Sequence, residues 1–184
     1  DVFGENPHAE SYKTCGTALP MEEEELSGTA HWFLLDQSQY TFSKYWGIQA
    51  SSVLFYPFGI GVKCSYPIDE TNHLGGSVNG FLDVSASDRY GWAAGFSAMF
   101  RYTHGGSNRN FTIGAGIVGA NERMFAGYNS SSPLMTTPML SAGYCNRLSK
   151  KWSLVMDGHL FPDDGLMIGG AGLKYIRDES SCWT

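Results

Sequence analysis

The sequence has 184 residues, 42% hydrophobic and 14% aromatic, which suits one folded domain and excludes a disordered chain. Charged residues are 16%, against about a quarter in ordinary globular proteins, and glycine numbers 23. A net charge of −6 without any Lys/Arg cluster excludes binding nucleic acid through a basic face.

Residues 1–27 read as an acidic, irregular leader with weak periodicity, and the glutamates in MEEEEL (21–26) read as a solvated face. The opening DVFGENPHAE has neither a basic start nor an apolar core, so no signal peptide is read in it. From residue 28 onward strand follows strand. GTAHWFLLDQ (28–37) is apolar without clear parity. Between 40 and 66 the even positions are mostly apolar, among them Tyr40, Phe42, Trp46, Ile48, Ile60 and Val62. That pattern predicts two strands with a bend near Tyr56 and Pro57. DETNHLGG (69–76) is a turn by composition.

GSVNGFLDVSAS (76–87) alternates. Val78, Leu82, Val84 and Ala86 share one face, Ser77, Asn79, Asp83 and Ser85 the other, with Phe81 out of phase. SDR (87–89) connects tightly into YGWAAGFSAMFRYTH (90–104), where Trp92, Phe96 and Phe100 alternate with Gly91, Gly95 and Ser97. HGGSNRN (104–110) is the next turn, and FTIGAGIVGANER (111–123) puts Phe111, Ile113, Ala115 and Ile117 on one face. AGYNSSSP (126–133) is a longer polar loop. Three strand patterns close the chain at 134–147, 152–161 and 166–178, joined by LSKK (148–151) and PDDG (162–165). The sum is an up-and-down antiparallel meander of about eight to ten strands.

What the second face holds decides the solvent of the first. A soluble sandwich or lipocalin-like barrel needs a polar outer face. Here the second face is small and nearly uncharged: Gly91, Ala93, Gly95 and Ser97 in one strand, Gly170 and Gly172 in another. Between Trp46 and Tyr66 the one formal charge is Lys63. A transmembrane β-barrel fits this better, with large apolar side chains on lipid and small or polar ones in a narrow interior. No run of 18 apolar residues occurs, which excludes a membrane helix and leaves a barrel untouched. The fold class expected is therefore all-β, with 1–27 as leader and 28–184 as barrel. Lipid-facing residues are Leu82, Val84, Trp92, Phe96 and Phe100. Parity sends Asp83, Arg101, Asp157, His159 and Lys174 inward as a polar network. Trp46, Tyr66, Tyr90, Tyr102, Tyr144, Trp152 and Tyr175, near strand ends, suit an interfacial aromatic belt.

The pieces TTPMLSAGYCNRLSKKWSLVMDGHLF (136–161) and GLMIGGAGLKYIRDESSCWT (165–184) resemble small bacterial outer-membrane β-barrel proteins of the Bacteroidota type, over about 28–184. The resemblance implies a location in the bacterial outer membrane, with short turns periplasmic and AGYNSSSP outside. It implies partners that are membrane lipid and other outer-membrane or periplasmic proteins. Such barrels finish on a full strand. Here only SSCWT follows the last turn, so either a short strand completes the barrel or the sequence is part of a longer one. On that orientation Cys64, Cys145 and Cys182 lie near the periplasmic end, within reach of leader Cys15, and a disulfide tying leader to barrel is expected.

The cysteines are single, at 15, 64, 145 and 182, and no CxxC supports zinc or thioredoxin chemistry. Disulfides and buried thiols both satisfy that count. His31, His73 and His104 are isolated, reading as structural or loop residues. The glycines of GIGVK, GAG and GGAG precede no helix, so no cofactor fingerprint is read. Ser153, Asp157 and His159 share a face, but Ser153 and His159 are about 20 Å apart along one strand, too far for a triad. The function expected is a non-catalytic structural or accessory subunit with its interior plugged by polar side chains. The alternatives are an outer-membrane lipid-modifying enzyme and a soluble ligand-binding barrel.

Overall fold

A computed structural model describes residues 17–20, 26–31, 35–53, 58–83, 93–120, 135–163, 165–178 and 181–183. There the chain is all-β. Eleven antiparallel strands form one sheet in sequence order. They are β1 (Leu26–His31), β2 (Leu35–Ser43), β3 (Trp46–Val53), β4 (Phe58–Pro67), β5 (Asn72–Asp83) and β6 (Ala93–Gly105). Then come β7 (Arg109–Ala120), β8 (Met135–Arg147), β9 (Trp152–Phe161), β10 (Leu166–Asp178) and β11 (Ser181–Trp183). Nine of them, β2 to β10, have eight residues or more; β1 has six and β11 three. Among the described residues there is no helix, hence none long and apolar enough to cross a membrane.

Two expectations change. The stretch 40–66 holds parts of three strands, because a turn at Lys44 and Tyr45 separates β2 from β3. A two-residue connection alone would invert odd–even parity, but the bulge between Thr41 and Ser43 restores it. The apolar positions Tyr40, Phe42, Trp46 and Ile48 therefore run on without a break, and alternation cannot reveal the hairpin. The stretch 69–76 is only half turn, since β5 already begins at Asn72. Asp69 makes the turn compact: its Oδ1 accepts from the Thr71 and Asn72 amides, both at 2.8 Å. Closure is the third point. β1 and β11 are the two edges of the sheet, and no ladder joins them among the described residues.

One face of this sheet is buried although no second layer lies against it among the described residues. The sheet must therefore curl around that face. What it encloses is largely polar, beside Met99, Met139, Cys145, Val155 and Ile176. Thr41, Lys63, Ser65, Ser77, Arg101, Thr103, Asn110, Thr112, Ser153 and Lys174 are all buried. Exposed instead are Tyr40, Ile48, Ile60, Val62, Val78, Leu82, Ile113, Leu140, Met156 and Phe100, the last at 57%. Inward residues are odd in β2–β6, even in β7, odd in β8 and β9, and even in β10. Radial polarity is thus opposite to that of a water-soluble domain.

The connections after β2, β4, β6, β8 and β10 gather at one end and all are short, whereas the other end mixes short ones such as 162–165 with long ones. Backbone bonds tie neighbouring hairpins along this rim. Ser65 N–H donates to Tyr45 O at 2.9 Å, Gly105 to Thr71 O at 2.7 Å, Arg147 to Asn108 O at 2.7 Å and Ile176 to Lys151 O at 2.8 Å. Gly105 is required here: its φ is +108°, and a Cβ would stand 2.2 Å from Arg109 O. The long connections, 84–92 and 121–134, belong to the other end and lie outside the described residues, AGYNSSSP with them.

Candidate functional site

The enclosed face is the candidate site, and glycine sets its geometry. Register aligns Gln39, Gln49, Gly61, Asn79 and Ser97 across β2 to β6, all inward. A Cβ on Gly61 would stand 2.1 Å from Asn79 Oδ1. Without it, the Gln49 amide reaches across β4 and donates to Asn79 Oδ1. Asn79 Nδ2 passes the chain on to Ser97 Oγ at 3.2 Å, and Gln39 Nε2 donates to Thr41 Oγ1 at 3.3 Å. Nearer the short-turn rim, Arg101 Nη1 donates to Ser77 Oγ at 2.8 Å, and the Thr103 and Thr112 hydroxyls meet at 2.7 Å. Met99 lies over Gly114 and Gly116; a Cβ on Gly116 would stand 2.4 Å from its Sδ.

Of the residues expected inside, Arg101, Asp157 and Lys174 are buried on the inner face, and His159 is half-buried there. Asp83 ends β5, and its side chain lies outside the described residues. They do not meet at one level. Arg101 shares a register row with Gly75, Gly114, Ser141 and His159, whereas Lys174 sits opposite Ser153 nearer the rim. Ser153 and His159 are not brought together: Ser153 is fully buried toward the rim, and His159 lies toward the opposite end of β9.

On the outer face, Phe100 and Leu82 are exposed and Phe96 is half-buried; Trp92 and Val84 lie outside the described residues. Aromatics collect near the short-turn end. Trp46, Tyr66 and Trp152 are exposed there, Tyr102, Tyr144 and Tyr175 half-buried, and Tyr90 lies outside the described residues. Trp152 and Tyr175 rings stand 5.0 Å apart, Tyr45 and Tyr66 rings 5.8 Å. Small outward residues Gly76, Ala98 and Ala115 form the floor of an apolar groove of about 610 Å³ between Val62, Val78, Phe100 and Ile117.

Cys64 and Cys145 are thiols. They point to opposite faces, Cys64 outward from β4 and Cys145 inward from β8, so they cannot pair with each other. The expected tie runs through leader Cys15. Cys15 lies outside the described residues, as does the run 21–25, and for Cys182 only the backbone is described. No group of three His, Cys, Asp or Glu suits a metal ion among the described residues.

The sequence reading missed four residues of this face. Lys63 is buried and inward; its odd place in an even-apolar strand was the available signal. His73 is buried inward, masked by the assignment of 69–76 to a turn. Arg147 is the last residue of β8, buried against the rim, where Nε donates to Ser149 O at 3.0 Å and Nη2 to Lys150 O at 2.7 Å. The fourth is Ala18 of the leader, fully buried, for which no periodic signal exists. Comparison with known protein families, curated proteins and solved structures finds no match.

Proposed function

We propose that this chain is a membrane-spanning β-barrel of the bacterial outer-membrane kind, non-catalytic, acting as a structural or accessory subunit whose interior is filled by polar side chains and by its leader. The observation that carries the reading is the reversed radial polarity. Phe100, Ile113, Val62 and Leu140 point away from a face that holds Lys63, Arg101, Arg147, Asp157 and Lys174. In water that outer surface would be an apolar band far beyond the patch size of a soluble monomer. In hydrocarbon it is the expected coat, and the enclosed charges avoid the roughly 2–4 kcal/mol that a cation costs at mid-depth.

Strands of 10 to 13 residues from β4 to β10 match the length a tilted strand needs to cross. Lipid also demands that edges be satisfied, so the reading requires β1 and β11 to be joined or covered in the membrane. Aromatics near the short-turn rim suit a headgroup interface. The glycine- and amide-filled interior leaves no wide channel, which argues for a scaffold rather than a general porin.

The test is behaviour in lipid. The protein should need detergent to stay dispersed, migrate faster unboiled than boiled in gel electrophoresis, and show quenching of a Phe100→Trp variant by brominated acyl chains. A monomer stable in plain buffer, with position 100 unquenched in vesicles, would overturn the reading.

A further inference from the structure

Residues 17–20 belong to no strand, yet Thr17, Ala18 and Leu19 are among the most buried residues described, Ala18 at 0% exposure. They lie against the inner wall near the short-turn rim, where three consecutive strands shape a seat. From β6, Thr103 Oγ1 accepts the Ala18 N–H at 2.8 Å. From β4, the Ser65 hydroxyl donates to the Ala18 carbonyl. From β5, Gly75 supplies space: a Cβ there would stand 3.0 Å from Ala18 Cβ and 2.8 Å from Cys64 O. Thr112 of β7, 2.7 Å from Thr103 Oγ1, fixes that hydroxyl from behind.

Both backbone groups of Ala18 are therefore satisfied by side chains, not by a ladder. Gly75 fits only a small residue opposite it, and alanine is what stands there. These contacts of Ala18 can part without breaking any strand pairing. These are features of a peptide-binding site with its peptide in place.

We propose that the inner wall formed by Ser65, Gly75 and Thr103 is a binding site for an extended peptide with a small central residue, and that the chain's own Thr17, Ala18 and Leu19 occupy it. The seat does not depend on the membrane reading above.

The experiment uses the full chain with its four native cysteines replaced by serine. Ala18→Cys should react with a maleimide at least tenfold more slowly than a Gly106→Cys control, since nothing lies within 4 Å of Gly106. In the Ala18→Cys/Gly75→Val variant, the added side chain should displace the segment and raise the reactivity of position 18 at least tenfold over Ala18→Cys alone. Ala18→Cys reacting as fast as the control, or no faster with Gly75→Val than without it, overturns the seat.

Thr103→Val combined with Ser65→Ala, in the Ala18→Cys background, should likewise raise that reactivity at least tenfold. Unchanged reactivity there overturns the role of the two hydroxyls in the seat.

Discussion

Two residues on the inner face of β10 stand six positions apart and have opposite fates. Lys174 carries a charge and is 3% exposed; Ile168 is aliphatic and 50% exposed. Lys174 pairs with Ser153 of β9, and just beyond it β11 covers the other edge at Tyr175 and Ile176. Ile168 pairs with His159 of β9 and has no described strand on its other side. Lys174 has no described β11 partner of its own, so burial along β10 rises toward the end that β11 reaches and does not follow hydropathy. Gly61 and Arg101, in strands flanked on both sides, are buried as well; away from such cover even isoleucine stands open.

The sharpest way to break this comparison uses inward glycines from the two regions. Gly61→Val in the flanked region would drive a side chain into Asn79 and toward Val78 O, 2.5 Å from the new Cβ. It should cost about 3 kcal/mol or more by overpacking and loss of the amide contact. Gly170→Val meets nothing within 4 Å and should stay within about 0.5 kcal/mol. Urea midpoints of both variants, measured in the same vesicles, give the two numbers; equal losses would mean that the open stretch is in fact covered.

A charge placed on each region sharpens the outer boundary. Phe100→Arg should lose about 2–4 kcal/mol in lipid vesicles, as expected for a cation on the hydrocarbon side. Ile168→Arg should lose about 1 kcal/mol or less, since its site is already half open to solvent. Urea titration in vesicles reads both.

Turn glycines repeat the contrast on a smaller scale. Gly105→Ala at φ +108° also strikes Arg109 O and should cost about 1–3 kcal/mol. Gly165→Ala, at φ +62° with nothing nearby, should cost about 1–2 kcal/mol and be rescued by asparagine. Thermal midpoints compare the two.

The smallest effect is a titration. The Asn72 side chain, then the Thr71 amide, hold the exposed Asp69 carboxyl down at about 2 from 3.8. A depressed folded value means that the turn's contribution is present above pH 4 and is lost as pH falls from about 4 toward 2. Carboxyl-carbon NMR of Asp69 should show a midpoint near 2, moving back up toward 3.8 in Asn72→Ala.

Strand identity was legible wherever one face is apolar and the other small: β9 and β10 begin and end where the alternation does. The hairpin at Lys44 and Tyr45 was not, because the bulge between Thr41 and Ser43 cancels the parity change that its length would make. Inward direction was legible for Arg101, Asp157 and Lys174 from their phase against Phe100, Met156 and Tyr175. It was lost at His73, where His, Leu and two glycines mimic a turn by composition although they pair with β4 and β6. The seat for Ala18 was invisible for a different reason. It depends on Gly75, Ser65 and Thr103 facing one way on adjacent strands, and sequence alone supplies no register.

Ala18 and its hydrogen-bond partner Thr103 are 85 positions apart, whereas each ladder of the sheet joins strands adjacent in sequence. Hairpins close short loops and can zip one after another, but the leader has nowhere to dock until β4, β5 and β6 have come together. Residues that come early in the chain are thus among the last to find their place. A half-assembled molecule would hold this stretch outside, and its docking reports that the wall behind it is finished.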